Sequence, residues 1–181
     1  MYYGGQELAA AFRTVRKNTI QIAEEIPEDK YGFKAAADTR SVGETLVHIA
    51  LAPMFASHIH ANKIDDMKTV NFRELMQKVG AEAEKPRTKP EIVALLTAEG
   101  ETFASFLEAL TESFFAEQVR MMPGFGPASK SRFELLLGTK EHEMHHRAQL
   151  MVLERMIGIV PHLTRRFQER MAQMQAGQTQ R

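Results

Sequence analysis

Apolar residues along the chain recur at helical rather than alternating spacing. Leu8, Phe12, Val15, Ile22 and Ile26 lie three, four or seven positions apart, which draws one apolar stripe down a helix that stops before Pro27. Ser41-Val42-Gly43-Glu44 has the spacing of a capping box, in which the Ser hydroxyl and the Glu carboxylate satisfy the free amides of a first turn; it predicts a second helix to about Asn62. Pro53 falls inside that helix and has no amide to give the carbonyl four residues back, so a kink or break is expected there. Residues 71–79 predict a short helix, and Gly80 with the stretch 82–90 reads as a charged linker. Thr88 and Glu91 repeat the capping-box spacing with Pro90 in the first turn, and Ile92, Leu95, Leu96, Phe103, Phe106, Leu107 and Leu110 supply a broad apolar face. The segment 121–127, with its prolines and glycines, breaks any helix. Ser131 and Glu134 open the next one, which runs to about Ile157 and is stopped by Gly158 and Pro161. Leu163, Phe167, Met171 and Met174 predict one more amphipathic helix, followed by a Gln-rich tail that reads as disordered. No window alternates with period two, so no strand is expected. The predicted fold is all-α: a four-helix bundle with a short extra helix over residues 1–160, and a C-terminal helical extension and tail over 161–181.

Composition narrows the function classes. A chain of 181 residues, 44% hydrophobic, is long enough for one domain with a full core. Lys and Arg number 23 and Asp and Glu number 23, so no positive excess draws the chain to phosphate backbones or acidic membranes. Neither nucleic acid nor membrane is an expected partner. Cysteine is absent, which excludes disulfides, thiolate metal ligands and a Cys nucleophile; any thiol chemistry must use a thiol from outside. The first residues lack the basic stretch and apolar run of a signal peptide, and the expected location is the cytoplasm.

Three of the seven histidines stand where helical geometry makes them interesting. His142 and His146 are four residues apart, hence roughly 40° apart around their helix and one turn above each other, a spacing at which two imidazoles reach one metal ion. Leu135 and Leu153 lie near the middle of that face with Thr139 and Gln149 on its flanks, so the pair points at the bundle interior. His48 shares a face with Ala52, Phe55 and Ile59 and has Glu44 one turn before it. If the two helices are neighbours, all three imidazoles can surround one ion and leave open positions for water or substrate, the coordination of a catalytic rather than a structural site. The plainer alternative is that each is a core histidine with a hydrogen-bond partner. His145 falls about 80° off the centre of the His142 and His146 face and reads as a surface residue or one that assists a ligand. His58, His60 and His162 read as surface residues, and Glu24-Glu25 and Arg165-Arg166 as solvated helix faces. His142-Glu143-Met144-His145-His146 also spells H-E-x-x-H, the helix motif of zinc proteases with Glu as general base, but Gln149 and Val152 fail its extended form.

Two stretches carry a family resemblance. Ser41-Val42-Gly43-Glu44-Thr45-Leu46-Val47-His48-Ile49-Ala50 and, far downstream, His142-Glu143-Met144-His145-His146-Arg147-Ala148-Gln149-Leu150 resemble the DinB-like (damage-inducible) family of metal-binding four-helix bundles. Members often have Gly where Ala148 stands and a Trp just before the first motif, which this chain lacks. The resemblance implies an up-down-down-up bundle with a divalent metal ion, most often nickel or zinc, held by His48, His142 and His146. It also implies an enzyme in which that metal activates an external low-molecular-weight thiol, as in an S-transferase, or a water, as in a hydrolase. Glu44, His145 and Gln149 are the candidates to orient a ligand or relay a proton, and the expected partner is a small-molecule substrate. The alternative is a non-catalytic, stress-related bundle that binds a metal or ligand, or a homodimer formed through an apolar helix face.

Overall fold

The computed structural model describes residues 3–124 and 126–179. Its elements in chain order are α1 (Gly5–Glu25), α2 (Val42–Ala61), α3 (Phe72–Ala83), α4 (Lys89–Glu108), α5 (Glu112–Ala116), β1 (Gln118–Arg120), β2 (Ser129–Ser131), α6 (Arg132–Met156) and α7 (His162–Thr179). Capping boxes open three of the four long helices as expected, at Ser41/Glu44, Thr88/Glu91 and Ser131/Glu134. Gly158 follows α6 with φ +87°, a left-handed turn that suits glycine.

Side-chain contacts fix the helix directions. Arg13 meets Glu101 and Glu108 while Arg16, one turn on, meets Leu96, so α1 and α4 run in opposite senses. Tyr3 stacks edge-on to Phe133, and Arg16 and Thr19 reach Glu143, so α1 and α6 are parallel. His48 meets His146 and His60 meets Arg132, which sets α2 against α6. The four helices α1, α2, α4 and α6 therefore form an up-down-down-up bundle in which α1 and α2 stand diagonally opposite, each packed on α4 and α6.

The stripe Leu8, Phe12, Val15, Ile22 and Ile26 is buried. The core nevertheless divides along the bundle axis. One cluster gathers Ile22, Ile26, Leu46, Leu96 and Leu150, and another gathers Leu8, Phe12, Phe103, Leu107 and Leu136. Between them the same helices place Arg16, Thr19, Gly100 and Glu143. The Arg16 and Glu143 side chains are 4% and 2% exposed, and Nη2 lies 2.9 Å from Oε2. Arg16 Nε also donates to both Glu143 oxygens at 3.0 Å, and Thr19 Oγ1 donates to Oε1 at 2.8 Å. Gly100 makes room for this: a Cβ there would stand 2.7 Å from Arg16 Cγ.

The structure corrects several sequence expectations. Of the kink or break expected at Pro53, the break does not occur: α2 is helical on both sides of it. The carbonyl that Pro53 leaves unserved belongs to Ile49, and it accepts from Arg16 Nη2 at 3.2 Å. A composition test alone would let α2 cross a membrane, but 61% of that window is buried inside the bundle. The helix α3 continues through Gly80 to Ala83, so the linker shrinks to residues 84–88. A two-stranded antiparallel hairpin, β1 with β2, stands where no strand was expected; three residues per strand is below the length at which alternation shows. The Gln-rich segment is helical as far as Thr179, and the remainder of that expectation falls outside the described residues. Arg165 and Arg166 are not free: they bond Glu25 and Gln21 at 2.8 Å each and hold α7 on α1. His162 is buried too, with Nε2 3.2 Å from Asn18 Oδ1.

Two stability predictions follow from buried charge. Arg16→Met leaves Glu143 buried without its counter-ion, and urea unfolding should show a loss of about 3–5 kcal/mol, much of it regained in Arg16→Met/Glu143→Leu. Glu154 is fully buried with neither carboxylate oxygen hydrogen-bonded among the described residues, and burial, with Glu25 adding to it, pushes its pKa up to about 7. The native state therefore holds this proton more tightly than the unfolded chain, so its contribution to stability is complete below about pH 4.5 and is lost as pH rises through about 7. Thermal melts of Glu154→Gln should exceed wild type at pH 8 and converge with it at pH 4.5.

Candidate metal centre

His48 lies on α2, and His142 and His146 lie one turn apart on its antiparallel neighbour α6. Their Nε2 atoms converge: His48 to His142 is 3.1 Å, His48 to His146 is 3.1 Å, and His142 to His146 is 3.2 Å. Two ligand nitrogens each about 2.1 Å from one ion stand about 3.0 Å apart at a right angle and about 3.4 Å apart at a tetrahedral angle. The observed spacing falls between those limits, so the three rings could hold one metal ion on a single face.

The rotation of α6 that aims these rings is set from the flank of their face. Glu143 lies about 100° around the helix from His142 and is clamped by Arg16, so turning one away from α2 means turning the other out of the core. Gln149 then orients one ring: His146 Nδ1–H donates to Gln149 Oε1 at 2.7 Å, which leaves Nε2 with its lone pair toward the cluster. The Gln149 amide donates in turn to His145 Nε2 at 3.1 Å. His142 Nδ1 is buried with no hydrogen-bond partner among the described residues. Burial pushes the His48 pKa down to about 4, with help from Arg40 and the other two rings. Burial lowers His142 and His146 as well. The rings are neutral near pH 7, the form in which imidazole binds metal.

The expected interior is a cleft rather than a filled core. A cavity of about 1200 Å³ lies between α2, α3 and α6, lined by apolar groups such as Leu51, Phe55, Ile59, Met76, Val79 and Leu135, with His48 and His142 in its wall. Glu44 lines it also, but its carboxylate is engaged by the Ser41 amide at 2.6 Å and by Lys34 at 3.2 Å. Of the three assisting candidates, then, the structure brings Gln149 onto a ring and His145 onto Gln149, and spends Glu44 on the helix cap. Glu143, the would-be base of the H-E-x-x-H spelling, has both oxygens committed to Arg16 and Thr19. His60 is buried rather than surface, accepting from Arg132 Nη1 at 3.3 Å and edge-on to Phe114.

Comparison with known proteins agrees with this architecture. The sequence pattern of the DinB family matches residues 1–180. The chain is similar to the uncharacterized protein YjoA of Bacillus subtilis (strain 168), 27% identical over 152 residues, which are 84% of this chain and 90% of that one. The crystal structure of YjoA, a DinB-like protein, aligns with a TM-score of 0.60 at 25% identity, covering 84% of this chain and 92% of the other. A DinB-like protein from Bacillus cereus shares the fold with a TM-score of 0.67 at 16% identity, over 89% and 97% of the two chains. YfiT from Bacillus subtilis, described as a probable metal-dependent hydrolase with an unusual four-helix bundle topology, shares it with a TM-score of 0.63 at 14% identity, over 86% and 88%. With the family pattern running along nearly the whole sequence and the bundle shared by all three structures, this chain belongs to the DinB family.

Proposed function

We propose that the protein is a divalent-metal-dependent enzyme acting on a small molecule in the cleft, with nickel or zinc held by His48, His142 and His146. The observation that carries this is the meeting of three neutral imidazole nitrogens within 3.2 Å of one another, two of them, on His48 and His142, in the wall of a large apolar cavity. Hydrogen bonding alone does not account for that arrangement, because each neutral Nε2 is either a donor or an acceptor, so at least one of the three mutual contacts joins two atoms of the same kind. A dication held there would act as a Lewis acid, lowering the pKa of a water or a thiol so that a nucleophile exists near neutral pH. The chain's own part is to supply three neutral donors, fix one ring through Gln149, and line the approach with apolar surface that limits water.

Hydrolysis is the reaction named for YfiT, and the same fold supports it as one reading here. A thiol as the nucleophile is favoured by a different observation. Of the carboxylates beside the ligand histidines, Glu143 is held by Arg16 and Glu44 by Ser41 and Lys34, so neither of these is free to take a proton from water. A thiol, with an ordinary pKa near 8.5, needs less help, and the absence of cysteine means that it would be a cosubstrate.

Purified protein supplied with zinc or nickel should carry about one ion per chain by elemental analysis, and His146→Ala should lose most of it. Gln149→Leu should weaken metal affinity about 10- to 100-fold with the fold intact; full occupancy in the His146 variant would overturn the ligand set. For the nucleophile, cobalt-loaded protein mixed with small biological thiols should develop a sulfur-to-metal charge-transfer band. Bound cobalt that shows no band with any of them would leave hydrolysis as the reading.

A further inference from the structure

One cation in the cleft has no work assigned to it. Seven charged residues line the cavity, and most are neutralised locally. Lys34 pairs with Glu44, while Lys85 and Arg87 both pair with Glu82. Asp38 and Glu84 are the remaining carboxylates. Arg40 is different: its guanidinium has no hydrogen-bond or ion-pair partner among the described residues. It lines the same cavity as His48 and His142.

The position of Arg40 is set by an ordered loop. Tyr31 Oη donates to the Ala23 carbonyl at 2.7 Å, the Gly43 amide donates to the Tyr31 carbonyl at 2.9 Å, and the Val42 amide donates to the Phe33 carbonyl at 3.0 Å. These bonds fasten both ends of the 31–43 segment to α1 and α2. Arg40 thus stands two residues before the start of α2, His48 lies about two turns into that helix, and the apolar wall continues past Phe55 to Ile59. Gly43 and Ile59 both line the cavity, and sixteen helical residues span about 24 Å, so the cleft is long in one direction.

We infer that Arg40 is the anchor for an anionic substrate: the cleft takes a molecule with a carboxylate on an apolar body, the carboxylate on Arg40, the body along α2 toward Ile59, and its reactive part beside the three histidines. A guanidinium offers two parallel N–H donors that match a carboxylate, and a lone one without a protein partner is complementary to one such group. The polar end is thereby fixed at one end of the cleft, and a ligand of this kind enters in one orientation. This rests on the three-His centre being the reactive end of the cleft, as proposed above, but the carboxylate seat itself needs no metal.

Calorimetric titration with octanoate and with 1-octanol, on protein with and without added zinc, tests the inference. Arg40 is exposed and unpartnered, so Arg40→Ala should melt as wild type does. It should weaken octanoate binding by about tenfold or more and 1-octanol binding by less than about twofold, with Arg40→Lys between wild type and Ala for octanoate. The inference is overturned if wild type binds no octanoate, if Arg40→Ala binds it as well as wild type, or if both ligands weaken equally. Arg40-dependent octanoate binding by a protein that takes up no zinc would uphold the anchor and reject the metal-dependent function. Zinc uptake without octanoate binding would do the reverse.

Discussion

The buried pair of Arg16 and Glu143 is the constraint on which the other features depend. Arg16 belongs to α1, but its guanidinium reaches Glu143 on α6, the Leu96 carbonyl on α4 and the Ile49 carbonyl on α2, so one side chain ties all four helices of the bundle. Without it Glu143 would keep only Thr19, and the Ile49 carbonyl, which Pro53 cannot serve, would lose its donor. A buried charge pair adds little net stability over apolar packing of the same shape, because desolvation offsets most of the attraction. What it does supply here is register. An apolar core tolerates a helix turned by some tens of degrees, whereas a carboxylate with three charge-assisted bonds does not.

That register has consequences on the adjoining face of α6. Glu143 follows His142 directly and precedes His146 by three residues, so the rotation that buries the carboxylate against α1 also aims both imidazoles at α2. The Pro53 position belongs to the same arrangement. A proline there removes the amide that would bond the Ile49 carbonyl, and Arg16 takes its place, so α2 continues unbroken past His48 to Ile59 at the far end of the cleft. Gly100 completes it by leaving out the side chain that would collide with Arg16. Structure and chemistry are thus linked through a group that touches neither the cleft nor its ligand.

Features governed by local rules were legible in the sequence. Capping boxes act within four residues, and the i, i+4 histidine spacing follows from the helix period alone, so the helix starts and the shared face of His142 and His146 could be read directly. His48 could be placed on an interior face, but only the packing of α2 against α6 shows that its Nε2 meets the other two. The central ion pair was missed although it left a signal: Leu136, Glu143 and Leu150 are spaced by seven, and Thr19 fills the gap in the stripe between Val15 and Ile22, so polar residues occupy core positions on both helices. His60 and His162 were misread because their burial comes from segments far along the chain, Phe114 and Arg132 for one and the return of α7 to Asn18 for the other. The cleft itself was invisible, since periodicity marks a face as apolar without saying whether it meets another helix or lines a cavity.

The central claim is that one clamp on α6 makes three imidazoles converge on one ion. X-ray absorption of the zinc-loaded protein tests it most directly, since the imidazole multiple-scattering pattern counts rings independently of any activity. The account predicts about three imidazoles with zinc to nitrogen distances near 2.0–2.1 Å, completed by oxygen donors from solvent. A spectrum dominated by carboxylate oxygens, or fitted by one imidazole or none, would contradict it.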